Sequence, residues 1–508
     1  MKRATNPVPS RPSLAIRTLP TLFLLTACSD GLPDPLPIRD GLVYGQQMAD
    51  SEVRAYTGIP YAEAPLGELR WRPPRRPVPW EGVLEAYAFR PACMQAPLNL
   101  GPPWTEEYSN TAGVSEDCLY LNVWTGARSP DEGRPVMVYL HGGAFVAGSV
   151  SGAVKDGTAL AEKGVVVVSL NYRVGSLGFL AHPALSAESA NGVSGNYGLL
   201  DQVAALEWVQ GNIAHFGGDP DNVTLFGLSA GGASVALLLR SPRAQDLFHR
   251  AIIQSGVGYG GPLVVPPLPA AEAGGLELQR EVGAASLADL REVPAGELAG
   301  PGVGWTSPVV DGWLLPPSLD VQDTIPVLVG FSADDIGVND SYMGGGPPAT
   351  VEAYEADIRG KDPVLAATFL ALYPASSDEE VRAAHLAAAR DRARVTLDLW
   401  VRQGAGYLGP VYTYCFDRTF PWTEYPEFGS FHGGELPFVF GTLGVFHREW
   451  EPADFRIADQ VTSYWTNFAR AGDPNGTGLP PWLSVDSVEG RTMGLGTETG
   501  MIPLASPE

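Results

Sequence analysis

The chain is short of cysteine, of basic residues and of long apolar runs, and each shortage removes a class of protein. Four cysteines in 508 residues, with no C-x-x-C pair, leave no framework for a zinc cluster. No run of about 18 or more apolar residues exists, which excludes a polytopic membrane protein. Lys and Arg number 33 against 57 Asp and Glu, a net charge of -24 that repels phosphate backbones and argues against a nucleic-acid partner. Self-similarity at a period of roughly 20–50 residues is missing, so a solenoid or propeller is not expected. Apolar residues are plentiful at 45%, enough for a large core and too many for wholesale disorder.

The first residues differ from the rest. Lys2, Arg3, Arg11 and Arg17 are the only charges before Asp30. A short apolar stretch, residues 19–27, follows them, interrupted by Pro20 and too short to span a bilayer. Residues 1–27 therefore read as an export signal. They end in Leu25-Thr26-Ala27-Cys28, which resembles the box of bacterial lipoproteins, where the Cys is lipidated and becomes the mature N-terminus. Residues 28–37 then form a Pro-rich tether, and 38–508 a single domain. The expected location is a bacterial cell envelope with a lipid anchor as the sole membrane contact, or otherwise the periplasm or the medium.

Cys93 and Cys118 bracket a stretch rich in Pro, Asn, Gly and Glu. A disulfide between them would need the oxidising compartment that export supplies. In the chain-entropy model it would add about 3.5 kcal/mol. Cys415, within VYTYCF, reads as an inert buried thiol.

Strand-like runs alternate with helical ones. Residues 135–140, 165–170, 222–226, 251–254, 325–330 and 411–416 are apolar and bounded by turn residues. Helical patterns separate several of them, as in LLDQVAALEWVQGNIAHF before 222–226. This alternation predicts an α/β fold: a mostly parallel sheet with helices on both faces. Two stretches break the rhythm, 257–305 with one helical segment and 337–410 with longer ones. They read as insertions carried by one core.

Chemistry enters at Gly227-Leu228-Ser229-Ala230-Gly231. The G-x-S-x-G pattern alone is weak, but here a strand-like NVTLF runs in and a small-residue helix start, AGGASVALLLR, runs out. Strand, sharp turn and helix make an elbow that lifts the Ser hydroxyl into a cleft, with glycines where backbone must pass closely. The N–H of Ala230 opens a helix and is free to bond an oxyanion. A second feature is Leu140-His141-Gly142-Gly143-Ala144-Phe145, just after the strand PVMVY. It fits an oxyanion loop whose donors are the N–H groups of Gly143 and Ala144, with Ala230 the third. His141 reads as a residue that positions this loop.

A serine nucleophile needs a base and an acid, which on such a fold follow it in the order acid, then base. Only seven His exist, and His432, just beyond VYTYCF, sits where a late-strand loop would place the base. The acid belongs after the run IPVLVG, where Asp334 and Asp335 stand side by side and spacing does not separate them. Trp104 and Tyr108, between Cys93 and Cys118, read as gorge lining or as packing.

The chain resembles the type-B carboxylesterase family, which includes bacterial para-nitrobenzyl esterases and animal cholinesterases. The likeness runs from about residue 38 to 485. It rests on Gly58-Ile59-Pro60-Tyr61-Ala62 with Pro65, Gly67, Leu69 and Arg70, and on Glu116-Asp117-Cys118-Leu119-Tyr120-Leu121-Asn122-Val123-Trp124. Asn171-Tyr172-Arg173, Gly195-Asn196-Tyr197-Gly198-Leu199, and Trp465-Thr466-Asn467-Phe468-Ala469 followed by Gly472-Asp473-Pro474-Asn475 extend it. The resemblance implies the α/β-hydrolase fold and a serine esterase acting on small-molecule esters through an acyl-enzyme, without metal or cofactor. It also implies the Cys93–Cys118 bridge, an Arg70–Glu116 ion pair, and Asp335 as the acid beside Ser229 and His432. Two departures stand out: Asp335 is Asp where the family has Glu, and Leu228 replaces the Glu that usually precedes the nucleophile. The second puts choline esters in doubt. Other readings are a silent binding or adhesion member of the family, and an amidase, lactonase or acyltransferase using the same triad.

Overall fold

A computed structural model describes Met1 and residues 31–97, 101–257, 265–300, 307–317, 324–335, 348–404, 408–486 and 490–504. The proposed leader beyond Met1, Cys28 and the start of the tether lie outside the described residues.

The apolar runs form one sheet. Its principal strands are β1 (Arg54–Pro60), β2 (Tyr120–Thr125), β3 (Arg134–Leu140), β4 (Val166–Leu170), β5 (Gly218–Leu228), β6 (Arg250–Gln254), β7 (Val327–Ser332), β8 (Val411–Phe416) and β9 (Arg491–Leu495). Their spatial order is β1-β2-β4-β3-β5-β6-β7-β8-β9. From β4 to β9 every pairing is parallel, while β1 and β2 join antiparallel at one edge. Gly41–Gln47 and Gly500–Pro503 add antiparallel strands outside β1 and β9.

Helices cover both faces, and the strands show why their sequences are apolar throughout. Side chains alternate across a strand. Val136, Val138 and Leu140 of β3 enter one core with Val203, Leu206 and Val209 of α1 (Tyr197–Asn212) and Val235 of α2 (Ala230–Leu238). Met137 and Tyr139 enter the opposite core. After α3 (Asp378–Gly404), that second core takes Ile457, Val461, Trp465 and Phe468 from α4 (Pro452–Ala471). Neither face is left to water, so a continuous apolar run is what each strand needs.

Two expectations need correction. The strand expected at 325–330 occupies Val327–Ser332. Pro326 has no N–H to give the ladder; its carbonyl accepts from Ala251 instead, while pairing continues to Ser332 opposite Phe416. In place of one helical segment, the 257–305 stretch holds Leu268–Glu281, Leu287–Glu292 and Ala295–Leu298. Ser286, whose hydroxyl accepts from the N–H of Asp289, starts the second of these.

Cys93 and Cys118 are bonded, with Cα atoms 4.9 Å apart. Glu116 accepts two bonds of 2.7 Å from Arg70, which also donates to the carbonyls of Arg291 and Val293. Cys415 is buried, and burial pushes its thiol up to about 12, which keeps it protonated and unreactive at neutral pH.

Candidate active site

Chain order reverses around β3: β4 lies on one side of it and β5 on the other. Loops leaving β3 and β5 therefore diverge and open a crevice at the C-terminal ends of the strands. Ser229 stands at the end of β5 with φ +59° and ψ −123°, a conformation that costs a non-glycine residue about 1–3 kcal/mol. Its N–H donates to the carbonyl of Gln254 at 2.8 Å, and its hydroxyl does not cap α2. The glycines of the motif are steric requirements. A Cβ on Gly231 would lie 2.0 Å from the carbonyl oxygen of Leu140, and one on Gly142 would lie 2.9 Å from Cβ of Ser229.

The loop after β3 turns through three consecutive positive φ values, +126° at Gly143, +54° at Ala144 and +62° at Phe145. The amides of Val146 and Ala147 both bond back to the carbonyl of Gly143. Among the described residues no acceptor takes the N–H of Gly143, Ala144 or Ala230. His141 underpins this loop. Its ring stacks on Tyr172 at 4.2 Å, the Tyr172 hydroxyl donates to its carbonyl, and its Nδ1 meets the Gly142 carbonyl at 2.9 Å. A carbonyl only accepts, so Nδ1 carries the hydrogen. Burial pushes the pKa down to about 3, so the ring is neutral.

The two aspartates after β7 separate cleanly. His432 Nδ1 lies 2.5 Å from Asp335 Oδ1. The other oxygen of Asp335 accepts from the Ser255 hydroxyl at 2.6 Å and from the Ser332 N–H at 3.3 Å. Asp334 faces elsewhere: it pairs with Arg390 on α3 and accepts from the N–H of Ser430 at 2.9 Å. It is a clamp on the segment leading to His432, tight enough that a Cβ on Gly429 would sit 2.1 Å from its Oδ2.

Trp104 and Tyr108 pack on the His432 turn. The indole donates to the carbonyl of His432 at 2.9 Å, and the Tyr108 hydroxyl to that of Gly433 at 3.2 Å. A Cβ on Gly433 would stand 3.2 Å from Leu228 Cδ2, 3.7 Å from Trp104 and 4.0 Å from Tyr108, so these side chains make one apolar wall beside His432.

Ser255 and Glu435 escaped sequence reasoning because no local pattern marks them. Glu435 is buried, accepts from Gln254 Nε2 at 3.0 Å and also bonds Tyr414. Burial pushes its pKa up from 4.5 to about 7. The folded protein therefore holds this proton more tightly than the unfolded chain. The resulting stability is complete below about pH 4.5 and drains away as pH rises through 7. Glu435→Gln cannot ionise. Its stability relative to the parent should rise from about pH 5 to pH 8, by about 3 kcal/mol in all, as measured by urea midpoints at both ends. A difference that does not change with pH would show that Glu435 does not titrate in this range.

Parallel sheet, strained serine elbow, amide-rich turn and imidazole–carboxylate pair define an α/β-hydrolase. The model of the carboxylesterase family matches residues 34–504, and the chain belongs to that family. It is 38% identical to fumonisin B1 esterase of Sphingopyxis macrogoltabida over 92% of this chain and 88% of that protein. It is 35% identical to cocaine esterase of Homo sapiens, over 92% and 89%. Similarity extends to neuroligin-2 of Homo sapiens, 35% identical over 83% of this chain and 58% of that protein. Family and esterase relatives together support hydrolysis of carboxylic esters.

Proposed function

We propose that the protein is a serine carboxylesterase working through an acyl-enzyme. The observation that carries this reading is the His432–Asp335 bond, set at the same end of the sheet as the strained Ser229. Ser229 Oγ attacks the ester carbonyl carbon while His432 Nε2 takes its proton. The negative oxygen rests on the amides of Gly143, Ala144 and Ala230. Collapse breaks the bond to the alcohol, which leaves with the proton from His432. Water then attacks the acyl-Ser229, His432 again moves the proton, and the acid departs. Asp335 orients the imidazole and stabilises its charged form, itself held by Ser255 and Ser332. Leu228 puts an apolar side chain where a cationic alcohol would want a carboxylate, which favours uncharged leaving groups.

A silent binding protein has less support, because the residues proposed as nucleophile, base, acid and oxyanion donors are all in the chain. The test is turnover of para-nitrophenyl acetate and butyrate, together with an organophosphonate label mapped by peptide mass. Turnover with the label on Ser229 is expected. A well-folded protein that neither turns over nor labels would overturn the reading, and faster turnover of amides or of alcohol acceptors would redirect it.

A further inference from the structure

Lys155 closes the helical turn Ala153–Lys155, ten residues beyond Phe145 of the oxyanion loop, and is only 7% exposed. An ammonium carries three N–H donors. This one donates to the carbonyl of Tyr108 at 3.0 Å, and among the described residues it forms no ion pair. The other buried cations are matched: Arg70 with Glu116, Arg173 with Asp201, Arg291 with Glu188. Burial alone acts on the amine, pushing its pKa down to about 8, with no carboxylate opposing. A buried, unmatched cation is costly, and proteins seldom keep one without a use.

Its position supplies the use. Tyr108, whose carbonyl holds the amine, lays its ring toward Gly433 and its hydroxyl on the Gly433 carbonyl, one residue past His432. The segment that leads to Lys155 also packs under the loop bearing Gly143 and Ala144: a Cβ on Gly148 would stand 2.3 Å from Nδ1 of His141. The amine is thus held on the aromatic segment over His432 by a stretch of chain that continues from the oxyanion loop. Leu228, at the same wall, offers no competing carboxylate.

We propose that Lys155 anchors an ionised carboxylate on the substrate, so that the preferred esters are half-esters of dicarboxylic or polycarboxylic acids. The substrate brings the counter-charge that the protein leaves out, and a charge-assisted N–H···O bond fixes it. A chain of net charge -24 repels anions at a distance, so a selective site needs such a cation sheltered from that field. This inference rests on the ester-hydrolase reading above.

The test compares the mono-para-nitrophenyl ester of glutaric acid with para-nitrophenyl butyrate, using the wild type, Lys155→Met and Lys155→Arg. The wild type should favour the half-ester in kcat/KM. Lys155→Met should cut the ratio of half-ester to butyrate by about 10- to 100-fold, mainly through KM, and Lys155→Arg should restore most of it. An equal loss on both esters, or a wild type that prefers butyrate, overturns the proposal. Should Lys155→Met not fold, free glutarate is tested as an inhibitor of butyrate hydrolysis by the wild type. Inhibition stronger than that by free butyrate and weakened by salt supports the site, and no difference overturns it. Loss of all ester turnover in the wild type, or turnover that survives Ser229→Ala, instead overturns the esterase reading.

Discussion

Replacing Ser229 by Ala is expected to lower kcat for para-nitrophenyl butyrate by about a million-fold. No other residue proposed for the site can form the acyl bond. His432 and Asp335 have no task once the hydroxyl is gone, so their separate contributions vanish with it. The amides of Gly143, Ala144 and Ala230 remain, and the residual rate over water would report what they and substrate binding contribute. Stability should change little. Ala meets the same backbone strain at φ +59°, and the Ser229 hydroxyl caps nothing in the folded chain. Urea unfolding of the variant should match the parent within about 0.5 kcal/mol. Undiminished turnover by a pure, correctly folded variant would remove Ser229 from the mechanism.

The second large effect is expected at Asp335. Asp335→Asn should lower kcat by about ten thousand-fold while leaving the fold intact. The hydrogen bonds say why. Ser255 and Ser332 both donate to Oδ2, so the amide oxygen of an Asn would turn toward them. Its NH2 group would then face His432 Nδ1, which would have to accept. The imidazole would be left with its hydrogen on Nε2, unable to take a proton from Ser229. Asp334→Asn provides the contrast. It weakens the pairing with Arg390 and the clamp on Ser430, so it should cost about 1–3 kcal/mol of stability. Its effect on kcat should be far smaller. If Asp334→Asn were the more damaging to kcat, the acid would be misassigned.

Much of this site could be read before any fold was known, and the reason is steric. Gly142, Gly227 and Gly231 stand where a Cβ would strike backbone or Ser229 within 2.9 Å, so the crowding of the elbow is written into the residue types. The central strands were equally legible, since burial on both faces demands unbroken apolar runs. Pro326 shifted one boundary because a missing N–H acts on a single residue and leaves the surrounding pattern unchanged.

Other features were silent because they depend on contacts between distant segments. Ser255 lies 80 residues from Asp335, and Glu435 lies 181 from Gln254. Neither pairing has a local signature. Lys155 looks like any surface lysine until the Tyr108 carbonyl and the turn at Gly152 enclose it. The sequence by itself determined the fold class, the sharp elbow at Ser229, the glycine-rich turn after β3 and the histidine beyond β8, because each depends on short-range sterics or periodicity. Spacing left Asp334 and Asp335 tied and the family resemblance pointed to Asp335, but only the tertiary structure gives each its partner. Adjacent residues share a neighbourhood in sequence, yet at the end of a strand their side chains face opposite ways, one to the imidazole and the other to Arg390.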